Sequence, residues 1–196
     1  FSLSCLIALA FVFNQIEAPF EQTWYEWGTT GQQSLQVGFF VDKLTVLMML
    51  VVTFVSWMVH IYTIGYMHDD PGYQRFFAYI SLFTFAMLML VMANNFLQLF
   101  FGWEAVGLMS YLLIGFWYKK PSAIFANLKA FLVNRLGDFG FLLGIAGILG
   151  LFGTLDYTSV FNQIEKVAIL DPSFAFGNWM IPGVTATCLL LFVGAM

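Results

Sequence analysis

Charge is what this chain has least of. Only 9% of its 196 residues are charged, seven basic and eleven acidic, against about 25% in soluble domains. A soluble fold is excluded on that ground, and with no basic patch nucleic acid is excluded as a partner. Cysteine is nearly absent. Cys5 and Cys188 both fall inside apolar segments, with no C-x-x-C pair and no metal-ligand spacing. The two histidines, His60 and His68, sit at one end of one segment, so ligands on facing helices for a haem are unsupported. No G-x-G-x-x-G follows a strand pattern and no phosphate loop occurs. The chain is expected to carry no redox centre, metal or cofactor of its own.

What is present is apolar. Hydrophobic residues make up 61% of the sequence, Phe alone contributing 24, and the mean hydropathy is +0.85. Trp and Tyr gather near segment ends, as they do at membrane–water interfaces. The expected fold is all-α, a polytopic transmembrane helix bundle forming one membrane domain over 1–196. Helices are expected over about 1–13, 39–66, 73–92, 95–118, 123–152 and 176–196. Polar stretches at 14–38, with room for a short hairpin, and at 153–175 read as extramembrane loops. The start shows neither a basic stretch nor a small-residue cleavage site. Phe1 and Met196 both lie inside apolar runs, so the sequence reads as an internal piece of a longer protein. Alternation puts Arg75, Lys119 and Lys120 on one side of the bilayer, the cytoplasmic side by the positive-inside rule.

Glu104 stands out within the apolar run 94–118. Counted from Asn95, it lies roughly 14 Å along a helix, near the midplane of a ~30 Å hydrocarbon core. An ionised carboxylate there costs at least ~2.5–3.5 kcal/mol, so it is packed and neutral, paired, or used. Gly107, Leu108, Tyr111, Gly115 and Tyr118 share its helical face. That stripe of glycines and phenols suits a hydrated path lined by Gly107, Tyr111 and Gly115. On the following helix Arg135 and Asp138 stand at i, i+3 and can pair, as a static lock or as a switchable partner set. Gly137, Gly140, Gly144 and Gly147 form another stripe, read as a close-packing face. Lys129 sits a turn or two inside the membrane, where its stem can snorkel outward. His60 belongs to a polar stripe with Thr45, Thr53, Ser56 and Thr63, and is either an interfacial hydrogen-bonding group or a proton relay.

Three motifs bring a family into view: FFGWEAVGLMSYLLIGFWY (Phe100–Tyr118), ANLKAFLVNRLGDFGF (Ala126–Phe141) and LFGTLDY (Leu151–Tyr157). With VDKLT from Val41 and RFFAYISLF from Arg75, they closely resemble the antiporter-like membrane subunits of respiratory complex I, the NADH:quinone oxidoreductase. These are subunit L in bacteria and subunit 5 in mitochondria. The resemblance runs from Val41 to Met196. It implies a proton-translocating subunit in which Glu104 is the buried glutamate of the proton channel. It also implies that Arg135 and Asp138 are the polar pair of the next helix, and that Lys129 is the lysine on that helix. The glutamate's lysine partner is expected on a following broken helix, beyond Met196. NAD, FMN, iron–sulfur clusters and quinone are implied for the wider complex, with other membrane subunits and the lipid bilayer as partners. A bacterial inner membrane is the implied location, with the mitochondrial inner membrane as alternative. Two other readings remain open: the large subunit of a multisubunit Mrp-type cation/proton antiporter, and a scaffold whose buried charges only fix packing.

Overall fold

The computed structural model describes residues 1–13, 19–30, 33–170, 173–176 and 179–196. Four long apolar helices dominate it: α2 (Lys43–Tyr66), α3 (Tyr73–Val91), α4 (Phe96–Ile114) and α5 (Pro121–Phe152). Each is long and apolar enough to cross a membrane. Two shorter apolar helices, α1 (Ser2–Val12) and α7 (Gly183–Ala195), flank them. Neighbours in sequence pack together, α1 on α2, α2 on α3, α3 on α4 and α4 on α5, while α7 lies along α5. Most large apolar side chains point outward, among them Leu47, Val51, Phe85, Phe101, Leu136 and Phe139. This is the outer surface expected of helices bathed in hydrocarbon rather than of a water-soluble core.

The all-α expectation holds for the membrane part, but the extramembrane part carries strands. Phe20–Thr30 (β1) and Gln33–Val41 (β2) form an antiparallel hairpin with two register shifts. The expected helix 39–66 therefore begins only at Lys43. Phe39, Phe40 and Val41 are apolar because they finish a strand, and Asp42 then caps α2, its Oδ1 accepting from the Thr45 amide at 2.7 Å. The expected loop 153–175 contains an amphipathic helix, α6 (Tyr157–Leu170). Asp156 caps it by accepting from the Ser159 amide at 3.1 Å and the Ser159 hydroxyl at 2.8 Å, and Tyr157, Val160, Ile164 and Val167 recur at helical spacing. The helix expected from 176 starts at Gly183, after a second small hairpin of β3 (Ser173–Phe176) and β4 (Trp179–Pro182). Expected to reach 118, α4 stops at Ile114, so Tyr118 leaves the Glu104 stripe for the turn before α5.

One end of the bundle is tied by the turn Asn94–Asn95. Asn94 is wholly buried. Asn95 donates to the Gln36 carbonyl at 2.9 Å and accepts from the Gln98 amide at 2.8 Å, while Gln98 Oε1 accepts from the Gly38 amide at 3.0 Å. Backbone bonds from Phe40 to Met92 and from Phe96 to Leu155 complete the knot. A Cβ on Gly38 would lie 2.8 Å from the Gln22 carbonyl oxygen, so only glycine fits there. These bonds hold the hairpin, the start of α4 and the start of α6 at one level, and so fix where α4 enters the bundle. Burial raises the Tyr157 phenol's pKa at this junction; its ring meets Phe96 edge to face at 4.7 Å.

Candidate functional site

The only charged cluster at mid-depth among the described residues lies between α4 and α5. Arg135 of α5 reaches across to α4, its Nη1 paired with Glu104 Oε2. The same nitrogen stands 3.6 Å from Asp138 Oδ2, one turn on along α5. Asp138 Oδ1 in turn accepts from the indole nitrogen of Trp103 at 3.0 Å. One cation is thus shared by two carboxylates, and an indole N–H clamps the second. Asp138 and Glu104 are mostly enclosed, at 11% and 21% side-chain exposure, whereas Arg135 keeps 41%. Its guanidinium carbon lies 5.2 Å from the centre of the Phe131 ring, a cation–π contact.

The cluster owes its position to aromatic packing. Trp103 stacks on Phe141 with centroids 5.5 Å apart, and Phe141 stacks on Phe100 at 6.2 Å. The α4–α5 face is thereby held around the indole, whose N–H needs a partner once buried. On the opposite face of α5, Gly137, Gly140, Gly144 and Gly147 meet Gly194, Val193, Leu191 and Thr187 of α7. This is the packing face the glycine stripe implies. A Cβ on Gly144 would stand 2.8 Å from Leu191 Cγ, and one on Gly194 2.7 Å from the Phe141 backbone.

The remaining sequence candidates distribute as follows. Tyr111 and Gly115 line a polar cavity of about 230 Å³ with Arg75, Tyr79, Phe116, Tyr118 and Asn127. Tyr111 is two turns from Glu104 on the same helix, roughly 10 Å along it. Asn127 Oδ1 is buried there without a hydrogen-bond partner among the described residues, a group that a water in such a cavity satisfies. A Cβ on Gly115 would come within 2.9 Å of Asn127 Cγ, so glycine keeps α4 and α5 close at this level. Gly107 faces Asn134 instead and lies outside the cavity. Lys129 is exposed, six residues before Arg135 and about 120° round the helix from it; the structure does not bring it to the carboxylates.

Nor does His60 reach Glu104. It belongs to a separate hydrogen-bonded set between α2 and α3. Its Nδ1 donates to the Ser56 carbonyl at 2.7 Å, Nε2 is 3.3 Å from the Ser81 hydroxyl, and the Ser56 hydroxyl is 2.7 Å from that of Thr84. What sequence reading missed is Trp103, whose place beside Glu104 in the W-E pair and deep within an apolar helix was the available signal. Asn127 was missed as well, because a lone amide has no pattern to betray it.

Comparison with known proteins gives the chain's family and fold. Residues 27–77 match the family model described as NADH-ubiquinone oxidoreductase (complex I), chain 5 N-terminus. Residues 93–196 match that described as NADH:quinone oxidoreductase/Mrp antiporter, TM. The chain is 60% identical to the NADH-quinone oxidoreductase subunit L of Neisseria meningitidis serogroup A, over 99% of its own length and 29% of that protein's. To the NADH-ubiquinone oxidoreductase chain 5 of Arabidopsis thaliana it is 51% identical over 81% of its length and 23% of the relative's. The chain therefore spans less than a third of the curated relatives it matches. In solved structures, a chain of the Mrp complex from Dietzia sp. shares the fold with a TM-score of 0.70 at 20% identity, covering 98% of this chain and 24% of that one. A chain of an archaeal membrane-bound sulfane sulfur reductase does so at 0.67 and 19%, covering 98% and 36%. By the match over 93–196, which takes in both the Glu104 helix and the Arg135 helix, the chain belongs to the NADH:quinone oxidoreductase/Mrp antiporter transmembrane family.

Proposed function

We propose that the protein containing these residues is the proton-translocating, antiporter-like subunit L (subunit 5 in mitochondria) of an NADH:quinone oxidoreductase. Its driving force is quinone reduction elsewhere in the complex. The observation that carries this reading is Arg135 shared between Glu104 and Asp138 in the membrane interior. With all three ionised the trio holds one net negative charge, and in a poorly solvated site that charge attracts a proton. Protonation of Glu104 removes its pull on Arg135, which then settles on Asp138. Two opposite charges ~4 Å apart at an effective dielectric near 20 interact by ~4 kcal/mol. Exchanging partners therefore moves a full positive charge between two carboxylates, which couples proton uptake at Glu104 to the position of Arg135. Trp103 holds Asp138 in place, so it is the guanidinium that moves.

The polar cavity at Tyr111 and Gly115 supplies water on the Lys119–Lys120 side of this trio. Its Asn127 oxygen supports that role. The set built on His60 is a second, lateral relay, and Lys129 snorkels toward the basic side. The open flank of Arg135 faces further protein or water, since a cation against hydrocarbon is costly. The residues form one membrane domain, and no redox centre resides on them. NAD, FMN, iron–sulfur clusters and quinone sit in other parts of the complex, alongside further membrane subunits. The membrane is the bacterial inner membrane, with the mitochondrial inner membrane as the alternative.

The test is Glu104→Gln in the intact complex. Proton pumping is expected to fall while NADH oxidation with an artificial acceptor stays at its parent level. Unimpaired pumping refutes the role of Glu104. Loss of assembly instead of pumping identifies the trio as a packing lock. The matched family model also spans Mrp antiporters, which favours a large Mrp-type subunit as second reading. Purification settles it: a complex I protein brings flavin and iron–sulfur subunits with it, and an Mrp protein does not.

A further inference from the structure

We propose that the pocket between the α2–α3 turn and the α4–α5 turn binds the phosphate headgroup of an anionic phospholipid. The pocket has a volume of about 460 Å³ and is lined by Asp70, Gly72, Arg75, Phe116–Tyr118, Lys119 and Lys120. Three cations face it against one carboxylate. That carboxylate is already engaged: Asp70 Oδ1 accepts from the Gly72 amide at 2.7 Å and Oδ2 from the Trp117 indole at 3.2 Å. The neighbouring Asp69 points away and pairs with His68 at 2.9 Å. Two of the cations, Arg75 and Lys120, rest on aromatic rings. Arg75 lies 4.7 Å above the Phe116 ring and 5.5 Å from that of Tyr118, and Lys120 Nζ is 4.6 Å over Trp117. Arg75 Nη2 also donates to the Phe116 carbonyl at 3.3 Å, which orients the guanidinium and leaves its other N–H groups for a ligand.

A surplus of two positive charges with N–H donors facing outward suits a phosphodiester. Its place in the fold selects a lipid over a free anion. The pocket opens at the ends of three membrane-length helices, α3, α4 and α5. Trp117 and Tyr118 stand at its rim as interfacial aromatics do, and one turn inward Ile114, Ile124 and Phe125 are exposed. Those apolar side chains continue the pocket as a track for an acyl chain. Basic pockets between membrane helices are lipid-headgroup sites by the same physics. None of the residues facing the headgroup belongs to the Glu104 trio, and Lys119 and Lys120, unlike Arg75, Phe116 and Tyr118, do not line the cavity at Tyr111 either, so the lysine variants test the lipid site apart from the proton path.

The test is native mass spectrometry of the delipidated full-length protein in detergent, titrated with phosphatidylglycerol and, separately, with phosphatidylcholine. The parent is expected to retain phosphatidylglycerol selectively. Each interfacial lysine contributes about 1 kcal/mol to such binding, so Lys119→Gln with Lys120→Gln weakens phosphatidylglycerol binding about thirtyfold, leaving phosphatidylcholine unchanged. Lys119→Arg with Lys120→Arg retains it. Should the glutamine pair lower thermal stability in detergent, Arg75→Gln alone is expected to weaken phosphatidylglycerol binding about fivefold. Equal retention of both lipids by the parent, or undiminished phosphatidylglycerol binding by the glutamine variants, overturns the proposal. Displacement of phosphatidylglycerol by millimolar inorganic phosphate also overturns it, since the site then takes a free anion.

Discussion

Helix α5 presents two faces built on opposite principles. Toward α4 it offers Arg135 and Asp138, which meet Glu104 and Trp103 through charge and hydrogen bonds. Toward α7 it offers four glycines that meet Leu191, Thr187 and Gly194 through backbone-close van der Waals contact. The glycine face is tightest at Gly144 and Gly147, where an added Cβ would stand 2.8 Å from Leu191 and from Thr187 Oγ1. The charged face offers two acceptors to one cation, Glu104 and Asp138, with Arg135 paired to the first and 3.6 Å from the second. That division serves the switching proposed for the charged face, which requires the other side of the same helix to stay fixed.

Removing the shared cation breaks the comparison most severely. Arg135→Ala leaves two enclosed carboxylates facing each other and is expected to destabilise the bundle by up to about 3–5 kcal/mol, read as a lowered melting temperature in detergent. Glu104→Gln on the same face is expected to leave that temperature nearly unchanged, so the pair of variants separates charge balance from packing. Trp103→Phe keeps the stack on Phe141 but strips Asp138 of its donor. A hydrogen bond to a charged group contributes about 1.5–3 kcal/mol, and a loss of that size is expected, with pumping impaired alongside. On the other face, Gly144→Ala drives a methyl into Leu191 and is expected to cost about 1–3 kcal/mol, with pumping retained in the protein that assembles. Gly144 lies six residues and roughly 9 Å beyond Asp138 along the helix. The Trp103→Phe and Gly144→Ala effects should therefore add within about 0.5 kcal/mol; strong non-additivity merges the two faces into one unit.

The smallest effect lies outside the membrane. Hydrogen bonds from Gly72 and Trp117 hold the Asp70 carboxyl below its ordinary range, and Arg75 and Lys120 add to this. Because its folded pKa is depressed, its contribution is present above the unfolded value near pH 4 and is lost as pH falls through the folded one. Asp70→Asn should lose this small contribution at neutral pH and converge with the parent at acid pH, which flattens the acid limb of the stability curve. A steep acid limb that persists in Asp70→Asn assigns it to other carboxylates.

Much of the site was legible in the residues because hydrocarbon makes charge conspicuous. A lone Glu104 in an apolar run, the i, i+3 pair Arg135–Asp138 and the glycine stripe all follow from spacing. The reach of Arg135 across to Glu104 does not, since neither helix's sequence states which face meets the other. The strands around Phe39–Val41 and the helix Tyr157–Leu170 were misread for related reasons. An apolar triplet before a membrane helix looks like its first turn until Asp42 is seen to cap the next residue. Helix α6 is short and amphipathic, and between glycine-containing segments it resembles a polar loop.

Composition and spacing alone therefore determined a bundle of membrane helices with few interior charges, because every charge placed there needs a reason strong enough to offset its desolvation. Which carboxylates share Arg135, that an indole clamps one of them, and that the Asn94–Asn95 turn ties hairpin to helix were decided only in three dimensions. Those are contacts between segments about 30 to 60 residues apart. Their partners are chosen by how the helices pack, and helix packing is a property of opposed surfaces that no single segment contains.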